Sequence, residues 1–335
     1  MADGNLATAG TIHRPRLLER LRHVNSTYAA LATLLLLLLY NVIVTTNFLT
    51  SQTLNINLTQ VATIVIVATG MTLVIATGGI DLSVGALMAI AGAAAPLIFL
   101  SGVTPLDTPI IGNAVALFVS VLIAGLFGLF NGWLITAFRI QPIIATLILY
   151  IAGRGIAQVV TNGNLQPFKN AGFQYIGLGR PLGIPFQVIL MLIIVAVAGL
   201  LMRRTTFGRY VVAIGGNESA ARLAGVPVKR VKLVVYGVSG LLSGLAGLIV
   251  IAINSSSDAN LVGLNMELDA IAAVAVGGTP LTGGQATIIG TMLGALIIQL
   301  IRFTLLANDV PYAVAQNINA LIILAAVYAQ RQRHS

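Results

Sequence analysis

The sequence predicts an all-α membrane protein with many transmembrane helices. Of its 335 residues, 57% are hydrophobic and only 8% are charged, whereas a soluble domain carries about 25% charged residues. The hydrophobic residues also occur in runs of the length that crosses a bilayer, about 20 residues. A chain with so few charges cannot cover a water-facing surface, which disfavours a large soluble helical protein.

Ten apolar runs predict ten crossings of the membrane, with short or interrupted helices among them. The runs cover residues 28–44, 58–77, 82–100, 109–138, 140–160, 186–202, 233–253, 267–276, 285–305 and 312–329. The eighth run is shorter than a full crossing requires. This division leaves residues 1–27 and 331–335 as tails, residues 28–330 as one transmembrane domain, and residues 203–232 as its main polar loop.

Most basic residues lie on one side of this topology. Of the 18 lysines and arginines, seven lie in residues 203–232, four precede the first apolar run and two follow the last. The connections on the other side contain Asp107, Asp258 and Asp309. Since cytoplasmic loops are rich in lysine and arginine, both termini and the main loop are predicted in the cytoplasm. The basic residues are not interleaved with aromatic ones, so we expect contact with membrane lipid and no nucleic-acid partner.

The sequence excludes several kinds of chemistry. It contains no cysteine and only three histidines, so disulfides, a cysteine nucleophile and thiolate metal sites are excluded, and we expect neither a metal nor a cofactor. A phosphate-binding loop needs a lysine directly after a glycine, and none of Lys169, Lys229 and Lys232 follows one. We therefore expect no enzymatic activity, and an ATPase that drives transport must be a separate polypeptide.

A glycine motif occurs twice in the chain. Residues 78–85 and 277–284 both read Gly-Gly-x-x-Leu-Ser/Thr-x-Gly, and each copy follows one apolar run and precedes another. Transporters are often built from repeats whose glycine- or proline-interrupted helices lie near the substrate path. Two ordinary tight turns are the alternative, although Pro280 breaks the second copy. We interpret the pair as an internal repeat.

Charged and polar side chains inside or beside the crossings are candidates for a translocation path or gate, because a bilayer makes such groups costly. The candidates are Gly78, Gly79, Asp81, Ser83, Asn131, Gln141, Arg154, Glu267 and Asp269. The three carboxylates have an alternative role as caps of helix starts. Arg154 has the alternatives of reaching the membrane surface or pairing with a carboxylate. Asn131 and Gln141 have the alternative of bonding helices to one another.

The main polar loop contains signals for a short helix. Asn217 is a plausible N-cap, residues 218–224 favour a helix, and Gly225 and Pro227 stop it. A short helix between two turns is typical of a docking element. The alternative is a surface helix that holds basic residues at the lipid headgroups.

Three motifs in this order and at these spacings are highly specific. They are Gly-Met-Thr-Leu-Val-Ile-Ala-Thr-Gly-Gly-Ile-Asp-Leu-Ser-Val-Gly at 70–85, Phe-Gly-Arg with Gly-Gly-Asn at 207–217, and Glu-Leu-Asp-Ala-Ile-Ala with Gly-Gly at 267–278. Together they resemble the ribose/galactose-type permeases of bacterial ATP-binding-cassette sugar importers, over roughly residues 28–330. Ile-Gln-Pro-Ile-Ile-Ala-Thr from residue 140 and Ala-Gly-Arg-Gly from residue 152 are most similar to the galactofuranose branch.

The resemblance implies a type II importer-like permease fold in a bacterial inner membrane. It also implies three partners: a cytoplasmic ATP-binding-cassette ATPase, a periplasmic sugar-binding protein, and a second permease subunit that is either identical or different. The short helix would be the coupling helix to the ATPase, formed by Gly216, Asn217, Glu218, Ser219, Ala220, Ala221 and Gly225. Ser219 stands where the Glu-Ala-Ala-x-x-x-Gly pattern of such permeases has glutamate, and Glu218 comes one residue earlier.

A secondary transporter driven by a proton or sodium gradient is the alternative from a different class. Its coupling site would be Asp81, Glu267 or Asp269. It predicts ion-dependent uptake without an ATPase, whereas the importer predicts uptake that depends on ATP. Within the importer reading, the sequence leaves open whether the monosaccharide is galactofuranose or another furanose, pentose or hexose.

Overall fold

The computed structural model describes residues 26–100 and 109–322, except Tyr312, Gln316 and Asn319. In this part of the chain the elements are α1 (Ser26–Val44), α2 (Ser51–Ala76), α3 (Val84–Leu100), α4 (Pro109–Ala137), α5 (Pro142–Val160), β1 (Gln166–Pro167), α6 (Ala171–Leu178), a 3-10 turn (Pro181–Gly183), α7 (Phe186–Arg204), α8 (Thr206–Gly216), α9 (Glu218–Leu223), α10 (Val228–Asn254), β2 (Ser256–Ser257), α11 (Met266–Val276) and α12 (Ile288–Ala307). Both predicted tails lie outside the described residues apart from 26 and 27, and so does most of the crossing predicted at 312–329.

Seven helices of the described chain are long and apolar enough to cross a membrane: α1, α2, α4, α5, α7, α10 and α12. The crossings predicted at 82–100 and 267–276 correspond to α3 and α11, which have 17 and 11 residues. At 1.5 Å per residue these helices are about 26 Å and 17 Å long, less than the roughly 30 Å of a hydrocarbon core. The multi-pass helical fold is confirmed, and the count of ten crossings is approximate.

Helix α2 lies at the centre of the bundle. All of its residues from Val61 to Ala76 are buried, and α7, α8, α10, α11 and α12 pack around it. Helices α1, α4, α5 and α7 instead carry many exposed leucine, isoleucine and phenylalanine side chains. Apolar side chains on the outside of a helical bundle are expected where lipid replaces water as the surrounding solvent.

Small residues bring α10 close to its neighbours. A methyl group on Gly240 would overlap the carbonyl oxygen of Ala124 and lie 3.1 Å from the Cα of Gly128, both on α4. One on Gly247 would overlap the backbone of Met88 on α3. Close backbone approach of this kind is the usual way in which membrane helices gain packing contacts. The small residues of this helix therefore serve internal packing.

Uncharged polar residues connect α2 to α12. The Gln299 amide donates to the Gln60 side chain (2.5 Å), and the hydroxyls of Thr72 and Thr291 are 2.8 Å apart. Both pairs link α2 to α12. For Gln299, bonding between helices is therefore the observed role, and such bonds contribute on average about 0.6 kcal/mol each inside a membrane.

The two ends of the bundle differ. At one end, α8 and α9 form a corner between α7 and α10; we call it the α9 end. At the other, β1 pairs antiparallel with β2, with Gln166 opposite Ser257. Helix α6 and the 3-10 turn also lie at this end, between the apolar runs predicted at 140–160 and 186–202.

Candidate functional site

The predicted short helix is present at the α9 end. It covers Glu218–Leu223, and the Asn217 side chain accepts a hydrogen bond from the Ala220 N–H (2.9 Å), which is the predicted N-cap. Gly225 then turns the chain with a φ of +81°. Helix α8, directly before it, was not predicted. It is amphipathic, with Gly208, Val211 and Ile214 buried on one face.

Glu218 fixes this corner to the start of α10. Its two carboxylate oxygens pair with Arg222 (2.8 Å) and Lys232 (2.6 Å). Partial burial by itself raises the pKa of Glu218, but the hydrogen bonds and charges of Lys232 and Arg222 outweigh it, so the pKa lies below its ordinary value. The ion pairs therefore contribute to stability above the ordinary pKa of a glutamate, and that contribution is lost as the pH falls through the lowered pKa.

A basic cleft of about 280 Å³ opens beside the corner. Its charged and amide lining comes from the α4–α5 connection, α9 and α10, and consists of Arg139, Gln141, Glu218, Arg222, Lys229 and Lys232. Four of these residues are cations and one is a carboxylate, so the cleft carries a positive charge. Gln141, which the sequence analysis placed in the path, lies in this cleft and not beside Arg154.

The exposed face of α9 ends in a leucine that the sequence analysis did not select. Leu223 is 91% exposed, and Ser219 and Ala220 are exposed next to it, whereas Ala221 points inward and is 5% exposed. Single exposed leucines are common on protein surfaces, so Leu223 is notable only because it lies on a short helix beside the basic cleft. The sequence signal that would have found it is an apolar residue directly before the helix-ending Ala-Gly.

The two glycine motifs form the same turn at the ends of α2 and α11. Gly78 and Gly278 adopt φ values of +79° and +87°, which glycine reaches without strain. In each copy that glycine's N–H donates to the carbonyl three residues earlier, and the next N–H to the carbonyl five residues earlier, as in a Schellman motif. Gly78 thus corresponds to Gly278, so the register predicted from the sequence, which pairs Gly78 with Gly277, is wrong by one residue.

The α8–α9 corner packs against both glycine motifs. The Gly284 N–H donates to the carbonyl oxygen of Ala76 (3.1 Å), which joins the loop after α11 to the end of α2. Gly215 lies against both groups, since a methyl group on it would overlap the Ala76 oxygen and the Gly284 nitrogen. Gly283 is similarly close to Gly78. The segment before α9 therefore contacts the two turns that adjoin the short helices α3 and α11.

Asp81, three residues after Gly78, is the centre of a fully buried polar cluster. Its Oδ1 accepts from the Ser83 N–H (3.0 Å) and hydroxyl (2.6 Å), and its Oδ2 accepts from the Ser239 hydroxyl (2.8 Å) on α10. The Asn131 amide on α4 donates to the Ser83 hydroxyl (2.9 Å). Asp81, Ser83 and Asn131 are 0% exposed. The carboxylate thus holds the start of α3 to α4 and α10, close to the capping role considered for it.

The cluster predicts that alanine substitutions at two buried serines affect stability differently. Ser239→Ala should lower stability by about 1–3 kcal/mol, because it leaves Asp81 Oδ2 without its donor. Ser120 is also 0% exposed, but its hydroxyl has no partner among the described residues, so Ser120→Ala should be neutral or stabilising. Thermal unfolding of the two purified variants in detergent measures the difference; equal unfolding temperatures would contradict it.

Arg154 and Asp269 have partners that the sequence did not identify. Arg154 Nη1 donates to the backbone carbonyls of Ala259 (2.9 Å) and Asn260 (3.1 Å), and Arg154 forms no ion pair within the described chain. Asp269 pairs with Arg302 (2.6 Å) and so links α11 to α12. Glu267, the second residue of α11, is 5% exposed and forms no ion pair within the described chain.

Residues 53–327 match the protein family described as “branched-chain amino acid transport system / permease component”. The chain is also similar to the galactofuranose transporter permease protein YtfT of Escherichia coli K12, with 41% identity over 277 residues, 82% of this chain and 79% of that protein. It is 40% identical to the ribose import permease protein RbsC of the same organism over 291 residues, 86% of this chain and 88% of that one.

A third relative has a different sugar in its name. The fructose import permease protein FruF of Bifidobacterium longum is 38% identical over 281 residues, 82% of this chain and 76% of that protein. No solved structure matches the chain.

Proposed function

The chain belongs to the family of branched-chain amino acid transport system permease components, and we propose that it is the membrane subunit of an ATP-binding-cassette importer that moves a monosaccharide into a bacterial cell. The observation that carries this proposal is the identity of about 40% to import permeases named for galactofuranose, ribose and fructose, over more than four fifths of this chain. An ion-coupled secondary transporter has no support among these relatives.

The proposal requires a separate ATPase, because the sequence holds no glycine-lysine phosphate loop. It also includes a sugar-binding protein that delivers the substrate and a second permease subunit, identical or different. The α9 end would face the cytoplasm of the cell and the β1 end the periplasm. The gathering of Arg139, Arg222, Lys229 and Lys232 at the α9 end supports this orientation.

We propose α9 as the helix that contacts the ATPase. Its exposed face offers Ser219, Ala220 and Leu223, and the basic cleft beside it suits acidic side chains of a partner. The other residues of the predicted coupling set, Gly216, Asn217, Glu218, Ala221 and Gly225, shape the corner: they cap, pair, pack or end the helix. A movement of α9 would be transmitted through Gly215 to both glycine turns, since all three are in contact.

For the path, we propose that the glycine turns and the Asp81 cluster set the positions of the short helices, and that Arg154 and Glu267 face the substrate. Gly78 and Gly79 form the first turn, and Asp81, Ser83 and Asn131 are buried behind it. Asp269 supports α11 through its ion pair with Arg302. Broken helices that meet inside the membrane are the usual surroundings of a substrate site in transporters.

Leu223→Asp tests the proposed contact with the ATPase. Placing a charge at this apolar position is expected to lower the amount of ATPase recovered with the affinity-purified chain about tenfold or more, as for a central interface residue. The matched control is Leu182→Asp. Leu182 is 98% exposed in the 3-10 turn at the opposite end, and its variant should recover the ATPase like the unmodified chain.

The outcome that contradicts the assignment is equally specific. If Leu223→Asp reaches the membrane in normal amount and still recovers the full amount of ATPase, α9 is not the contact. If both leucine variants lose the ATPase together, the effect belongs to the fold of the chain and not to α9.

A further inference from the structure

Nε and Nη2 of Arg154 and Oε2 of Glu267 are buried polar atoms that have no hydrogen-bond partner among the described residues. Both residues are charged, and Glu267 is 5% exposed. An unpaired buried donor or acceptor costs free energy, and a charged one costs most. Such atoms mark a place that is built to make polar contacts.

The side chains of Arg154 and Glu267 both lie near the start of α3. Arg154 and Glu267 form no ion pair with each other in the described structure. Glu267 Oε2 lies 2.7 Å from where a methyl group on Gly85 would be, and a methyl group on Gly153 would lie 3.2 Å from the Cβ of Ala86. Arg154 and Glu267 are therefore placed about the first turn of α3, on separate elements.

This place is near the middle of the membrane. Helix α10 has 27 residues and is about 40 Å long. Asp81 binds Ser239, which is less than halfway along α10 from the α9 end, and Met88 packs against Gly247, which is past the middle. Gly85 lies in the chain between Asp81 and Met88, so the first turn of α3 is level with the centre of α10. Helix α11 also begins here, as a broken helix.

The chemistry of the site fits a neutral ligand with several hydroxyl groups. One guanidinium and one carboxylate sum to zero charge, and Asp269 is already neutralised by Arg302. Arg154 Nη1 is engaged by backbone carbonyls, which leaves Nε and Nη2 as two neighbouring donors. Two adjacent hydroxyl oxygens can accept from these donors, while a hydroxyl group can also donate to a carboxylate oxygen.

We propose that Arg154 and Glu267 form a mid-membrane subsite for the hydroxyl groups of the transported monosaccharide. Adjacent hydroxyl oxygens accept hydrogen bonds from Nε and Nη2 of Arg154, and one hydroxyl donates to Oε2 of Glu267. This inference rests on the proposed importer function and adds to it the two side chains that hold the sugar during its passage.

The test combines side-chain variants with sugar analogues. Proteoliposomes carrying the whole importer are assayed for uptake per ATP hydrolysed, with the transported monosaccharide and each of its monodeoxy analogues. With the unmodified chain, loss of the hydroxyl that binds Glu267 should slow uptake about ten- to a hundredfold. In the Glu267→Gln variant, uptake of the parent sugar should slow by a similar factor. The analogue that lacks the hydroxyl binding Glu267 should then be taken up at the same rate as the parent sugar. In the Arg154→Lys variant, uptake of the parent sugar should also slow. The two analogues that each lack one of the adjacent hydroxyls bound by Arg154 should then no longer differ from it.

Matched controls separate this role from a structural one. Arg180→Lys and Asp309→Asn make comparable changes at exposed positions and should leave every analogue penalty unchanged. The proposal is overturned if both site variants keep all the analogue penalties of the unmodified chain, or if they slow all sugars by one common factor. Transport of leucine and of no monosaccharide would instead overturn the proposed function, so the two failures are distinguishable.

Discussion

Gly215→Ala is expected to abolish ATP-driven uptake, with the largest effect of any single methyl group in the described chain. The added carbon would overlap the Ala76 carbonyl oxygen and the Gly284 nitrogen, which are themselves hydrogen-bonded to each other. These two atoms and the third nearest, the Ala76 carbonyl carbon, are backbone atoms, which cannot move aside as a flexible side chain does. The corner before α9 must therefore shift off both glycine turns, and overpacking of this kind costs about 1–3 kcal/mol or more.

Two measurements check the Gly215 prediction: the thermal unfolding temperature of the purified chain, and uptake per ATP hydrolysed in proteoliposomes. We expect the unfolding temperature to fall by several degrees and uptake to fall at least about tenfold, because the corner no longer fits the turns. Gly199→Ala is the control, since a methyl group on Gly199 in the middle of α7 meets nothing within 4 Å. An alanine at 215 that preserves both quantities would show that the corner does not transmit movement.

Asp81→Ala is expected to reduce the amount of folded protein as well as uptake. The substitution leaves the Ser83 N–H, the Ser83 hydroxyl and the Ser239 hydroxyl without their common acceptor. Hydrogen bonds to a charged group contribute about 1.5–3 kcal/mol each, so the loss should be about 3 kcal/mol or more. Asp81→Asn keeps one acceptor oxygen and the side-chain volume, so it should have an intermediate effect.

The Asp81 series is measured by size-exclusion profile and thermal unfolding in detergent. Asp309→Asn serves as the control for loss of a carboxylate, because Asp309 is exposed and its φ of +58° suits asparagine. Alanine at 81 with normal folding and stability but no uptake would contradict the structural role and favour direct contact with the substrate.

The fold could be predicted from sequence to the extent that it follows from local hydrophobic pattern. Runs of apolar residues give the long helices, and the chemistry of Asn217 and Gly225 gives α9 with its cap and its end. Helix α8 was missed because its buried face recurs every third residue over only 11 residues, which is neither a membrane-spanning run nor a marked break. The second glycine turn was placed one residue out because the backbone geometry, not the residue identity, is what repeats.

The parts of the site that depend on distant contacts could not be predicted. Ala76, Gly215 and Gly284 meet although each comes from a different third of the chain, and no local pattern signals such a contact. Besides a place in the translocation path, the sequence offered two interpretations of Arg154, a surface-reaching side chain or an ion pair, and its observed partners are backbone carbonyls. Because every residue has a backbone carbonyl, such acceptors cannot be recognised from the residue types.

The energy source of uptake tests the central claim most directly. Proteoliposomes containing the chain with the ATPase that copurifies with it, and a sugar-binding protein outside, are supplied with ribose, galactose or fructose and with or without internal ATP. The account predicts uptake that requires both ATP and the binding protein and is unchanged when ionophores collapse the proton and sodium gradients. Uptake without ATP that disappears with the ion gradient would contradict it.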